Sequence, residues 1–79
     1  MSSTFIVMNE WLRSGEETSS SEVVAPFSTY EKAHFELSEL AKVHDIYLMA
    51  DEDNFVLQGV RGLVYDEYRI DEWEQDQNG

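Results

Sequence analysis

"YDEYRIDEWEQD", residues 65–76, is the stretch whose conformation decides the fold. It holds six carboxylates and one arginine, threaded through Tyr65, Tyr68, Ile70 and Trp73. With Leu63 ahead of it, the apolar positions are 63, 65, 68, 70 and 73, spaced by two, three, two and three. A helix gathers residues three and four apart, so it would scatter these around its circumference. A regular strand sends Tyr65 and Tyr68 to opposite faces. One extra residue at Asp66–Glu67, a β-bulge, restores a common face, and Asp71–Glu72 holds the equivalent offset before Trp73. The spacing therefore predicts a strand that displays its acids from a structured surface, at least as far as Ile70. The residues beyond Trp73 are expected to fray, leaving an ordered core of about 4–73 and an acidic tail at 74–79.

Upstream lies the clearest helical signal, "STYEKAHFELSELAKVH" at 28–44. Ser28 and Glu31 have the spacing of a capping box, in which each side chain satisfies the other's free amide. Ala33, Leu37, Leu40, Ala41 and His44 recur at helical spacing as one stripe. Glu36, Glu39 and Lys32 fall opposite, with Lys32 and Glu36 placed as an i,i+4 pair. The prediction is one amphipathic helix from about Thr29 to Val43. His44 at its end suits the negative pole of the helix dipole better than a metal.

The remaining apolar runs are short. "TFIVMNEWL" (4–12) and "VVAPF" (23–27) read as strands around a polar loop, Pro26 marking an edge or a strand end. "IYLM" (46–49), "FVLQ" (55–58) and "LVYDEYRI" (63–70) read as three more, and the glycines at 59 and 62 suit a tight hairpin. The fold class is α+β, in the order β-β-α-β-β-β: a small antiparallel sheet of four to five strands with one main helix.

Size and charge bound the function. Seventy-nine residues form a single domain, 1–79, near the lower limit at which one core suffices. The absence of cysteine removes disulfides and thiolate metal sites and fits a reducing cytoplasm. No apolar run reaches the length of a membrane span. Seventeen acids against five bases give a net charge of −12. The charge is uneven: residues 1–44 carry seven acids and three bases, whereas residues 45–79 carry ten and two. Such a chain repels nucleic acid and anionic membrane and attracts a basic protein surface.

Reaction chemistry has no foothold in the motifs. "DEDN" (51–54) begins like a calcium loop, but the required glycine is Val56 and the terminal glutamate is Gly62. His34 and His44 lie too far apart on one helix to share a metal. There is no nucleophile elbow or glycine-rich phosphate loop. The expectation is a protein that is not an enzyme and uses no cofactor.

What remains is surface. Alternate strand residues stand about 6.6 Å apart, close to the spacing of phosphates in a nucleic-acid backbone. Asp66, Glu67, Asp71 and Glu72, with Asp51, Glu52 and Asp53 as a second cluster, are the candidate partner-binding residues. Tyr68 and Trp73 are candidate aromatic anchors. The alternative for both rings is core packing, and for the acids it is solubility alone.

A strand like "FIVMNEW", a polar loop, and then "VVAPFSTYEKAHFELSELA" running into a helix resembles short proteins encoded by bacteriophages and mobile elements. Over residues 5–43 the chain looks like the anti-CRISPR inhibitors and, in its charge, like the phage inhibitor of uracil-DNA glycosylase. The resemblance implies an inhibitor acting in a host bacterial cytoplasm on a CRISPR effector or another host defence protein. It transfers no individual residue. A different class is also open: a small homodimeric accessory or structural protein, in which a second copy covers the sheet face that one helix leaves bare.

Overall fold

Residues 63–75 form the longest strand and lie inside the sheet, paired along one side and, at 65–69, on the other as well. In the computed structural model, which describes residues 2–75, the elements are β1 (Ser2–Arg13), β2 (Ser20–Phe27), α1 (Tyr30–Val43), β3 (Asn54–Gln58) and β4 (Leu63–Gln75). The sheet is four-stranded and antiparallel, in the order β2-β1-β4-β3. The predicted α+β class is correct. The predicted tail is corrected at its start, because β4 runs two residues past Trp73; residues 76–79 lie outside the described residues.

The predicted strand at 46–49 is absent, which reduces the order to β-β-α-β-β. The helix end explains this. Asp45 turns left-handed at φ 59°. Its amide donates to Lys42 O at 3.0 Å, and the Ile46 amide donates to Ala41 O at 2.9 Å. That pair of bonds is a Schellman motif, which folds the chain back under the last turn. Ile46 and Leu48 then drop into the core while Tyr47 and Met49 face solvent, without any ladder bonds to a neighbouring strand. The alternation is that of a strand, but the segment joins no neighbour and leads into the turn before β3.

The helix begins one residue later than its sequence signal. Thr29, not Ser28, is the N-cap: its backbone is extended, and its hydroxyl accepts from the Lys32 amide at 3.2 Å. Glu31 therefore stands one position too early to close a capping box. Thr29→Ala is expected to lower stability by about 1 kcal/mol, and Ser28→Ala by much less. Urea denaturation of the two variants distinguishes them.

The bulge predicted at Asp66–Glu67 is also absent. Asp66 and Glu67 pair in unbroken register with Trp11 and Glu10 on one side and with Leu57 and Val56 on the other. The irregularity falls at the start of β4, where Arg13 pairs with Leu63 and Leu12 with Tyr65. With two partner strands holding it straight, β4 alternates strictly. Asp66, Tyr68, Ile70 and Glu72 share the helix side with Phe5, Val7 and Asn9. Tyr65, Glu67, Arg69, Asp71 and Trp73 share the open side with Ile6, Met8 and Glu10.

On the helix side, Ala33, Leu37 and Ala41 pack on Val7, Leu48 and Phe55, with Phe5, Phe27, Tyr68 and Ile70 at the margin. A 14-residue helix is about 21 Å long, roughly half the span of the two central strands. It therefore covers only the half of the sheet holding the start of β1 and the end of β4. No helix among the described residues is long and apolar enough to cross a membrane.

Candidate binding surface

Strict alternation divides the four candidate acids of β4, Asp66, Glu67, Asp71 and Glu72, between two faces, so they do not form one row of charges. Asp66 is withdrawn altogether. It is only 3% exposed, and its Oδ1 accepts from Asn9 Nδ2 at 2.6 Å. The same amide nitrogen donates to Glu67 O at 3.0 Å, so both of its hydrogens are used. Tyr68 is half-buried at the core margin: its ring stacks on Phe55 at a centroid distance of 5.1 Å. Burial, and then the charge of Asp66, raises its hydroxyl above the ordinary phenol range. Strand parity turns both residues to the helix side, where Asp66 is buried and Tyr68 half-buried at an open cleft beside Trp11, Arg13 and Arg61.

On the open face, Arg69 gathers the acids. Its guanidinium donates to Glu10 at 2.9 Å, to Glu67 at 3.2 Å and to Asp71 at 3.2 Å. Tyr65 donates to the other oxygen of Glu10 at 2.7 Å, and Asn54 to Glu67 at 3.1 Å. The Tyr65 bond, followed by the Arg69 bond, holds Glu10 below its usual carboxylate range. The same bond raises the Tyr65 hydroxyl above the ordinary phenol range. Glu67 and Asp71 are thus half-buried members of an ion network. They are less available than free surface acids.

This network also explains how the open face survives without a covering layer. Ile6 and Met8 point to that side, yet they are 4% and 9% exposed. Met8 lies directly opposite Arg69 and Ile6 opposite Asp71, so long neighbouring side chains cover them. Trp73 stands on the same face and is half exposed, the more accessible of the two predicted anchors.

The acids that do converge lie at one end of the helix side. Asp51, Glu52 and Asp53 are exposed in the turn before β3, and Asp53 O accepts from the Ile70 amide at 2.9 Å. That bond fixes the turn beside the end of β4, where Glu72 is exposed and accepts from Ser3 Oγ at 2.7 Å. Glu72 lies opposite Phe5, whose ring meets Tyr30 edge-on at 6.0 Å. Glu31 completes the group from the first helical turn. The Tyr30 hydroxyl registers this field: burial first, then Asp53, Asp51 and Glu31, push it above the ordinary phenol range. His34 secures the turn, its Nε2 lying 2.9 Å from Met49 O.

Of the described cations, Lys32 stands beside Glu31 at this end and Arg61 lies in the hairpin before β4, while the other three are paired. Arg69 is held in its network, Arg13 lies 3.9 Å from Glu16, and Lys42 pairs with Glu39 at 3.0 Å. The helix ion pair is thus Lys42–Glu39, not the Lys32–Glu36 pair expected from spacing. Sequence reading named Asp51, Glu52, Asp53 and Glu72 but did not join them to Glu31. The signal was faint: only the fold brings residues 31, 51–53 and 72 together.

No group of three or more His, Asp or Glu side chains among the described residues is arranged to hold a metal ion. Comparison with known protein families, curated proteins and solved structures finds no match to this chain.

Proposed function

We propose that the protein is a non-catalytic inhibitor that binds, through its acidic end, a basic nucleic-acid-binding surface of another protein. The observation that carries this reading is the convergence of Glu31, Asp51 and Asp53 near Tyr30, with Glu52 in the same turn and Glu72 opposite Phe5, away from the Arg69 network. A chain of net charge −12, with Arg13, Lys42 and Arg69 paired away from this end and only Lys32 beside it, presents a largely uncompensated field. Such a field attracts a basic channel and competes with the nucleic acid that the channel serves. A host defence protein such as a CRISPR effector, in a bacterial cytoplasm, is the target that the resemblance to phage inhibitors supports. Mimicry resides in this rounded end rather than in a ladder of charges along β4.

The test is competition. Basic proteins captured from a host lysate at low salt are assayed for binding labelled DNA or RNA in the presence of this protein. Wild type is expected to displace the nucleic acid, and to do so less well as salt rises. Asp51→Asn, Glu52→Gln, Asp53→Asn and Glu72→Gln together are expected to weaken competition by about tenfold or more, from several rim charges at a few tenths to 1 kcal/mol each. Circular dichroism confirms folding. A neutralised variant that competes like wild type refutes the reading.

A further inference from the structure

Beside the acidic end, the helix and the edge strand β2 leave a groove of about 330 Å³, lined by Phe27, Glu31, Lys32, Phe35 and Glu36. Its walls are aromatic. Phe27 is half-buried on the helix side of β2, and Phe35 is 66% exposed on the outer flank of α1. The ring of Phe35 makes no part of the core, which the helix builds from Ala33, Leu37 and Ala41. Two carboxylates, Glu31 and Glu36, stand at the groove against one ammonium, Lys32, which leaves it net negative. Glu31 belongs to both the groove and the acidic end, so the two form one continuous surface.

We infer that this groove takes an arginine side chain of the basic partner protein, with the guanidinium stacked on Phe35 and Phe27 and bonded to Glu31 or Glu36. The inference rests on the proposed binding of a basic surface and names how that surface is anchored. Charge complementarity selects a cation, and the two rings select its kind. A guanidinium is planar and weakly hydrated. It lies flat on an aromatic face while its edge donates to a carboxylate in a fork. An ammonium is a compact, strongly hydrated point charge and gains less from such walls. Lys32 opposes either cation and limits the strength of the contact.

Nona-arginine and nona-lysine peptides are the probes, titrated into the full chain at low salt with binding followed by calorimetry and by amide chemical shifts. The arginine peptide is expected to bind more tightly and to shift residues 27, 31, 35 and 36. Phe35→Ala, at an exposed position, is expected to weaken the arginine peptide by about tenfold and leave the lysine peptide nearly unchanged. Lys32→Gln is expected to strengthen the arginine peptide. Neutralising Asp51, Glu52, Asp53 and Glu72 is expected to weaken both peptides. If Phe35→Ala binds the arginine peptide like wild type, or loses both peptides equally, the arginine groove is refuted while the acidic-end reading stands. If neither peptide binds wild type, both fall.

Discussion

Leu37→Ala is expected to lower the unfolding free energy by about 2–5 kcal/mol, enough to unfold much of the population of a domain this small. Leu37 is wholly buried, and it is the largest fully enclosed side chain together with Val7. It sits midway along α1, where Ala33 and Ala41 on either side are too small to close a gap. Removing its branched end leaves a cavity bounded by strands that two neighbours each hold in register. Leu40, half-buried at the margin of the same core, is expected to lose less on truncation. Urea denaturation ranks them, and Leu40→Ala as damaging as Leu37→Ala would show that the helix is rotated from the face described.

Asn9→Leu is expected to be nearly as severe, at about 2–4 kcal/mol, although it replaces a polar residue with an apolar one of similar size. Asn9 is 8% exposed and uses both amide hydrogens, on Asp66 Oδ1 and on Glu67 O. Leucine leaves a carboxylate in a site that is 3% exposed without the partner that holds it. The double replacement Asn9→Leu, Asp66→Leu removes both polar groups and is expected to recover most of the loss. The measurement is a double-mutant cycle by chemical denaturation. Additive effects would show that the pair is not coupled.

The helix and most of the strands were legible in the chain because their signals are local. A stripe at Ala33, Leu37 and Ala41 can be buried in only one way, and the glycines at 59 and 62 mark the hairpin where both adopt positive φ. The 28–44 signal was misread by one residue because Ser28 and Thr29 both cap well; backbone geometry at the helix entry selected Thr29.

Residues 65–76 show the opposite case. Their spacing correctly identified a strand, but it did not set which side chains share a face. That depended on β1 and β3, which pair with β4 on either edge and suppress the extra residue at Asp66–Glu67. The outcome rested on interactions distant in the chain. Arg69 makes a face holding Glu67 and Asp71 tolerable by joining Glu10, fifty-nine residues away, and Asn9 does the same for Asp66 from fifty-seven. A net charge of −12 and its bias toward the second half are properties of composition, visible without any fold. Which of those charges meet at a surface was decided by tertiary structure alone, because strand parity, a Schellman turn and one bond from Ile70 to Asp53 brought residues 31, 51–53 and 72 to one end.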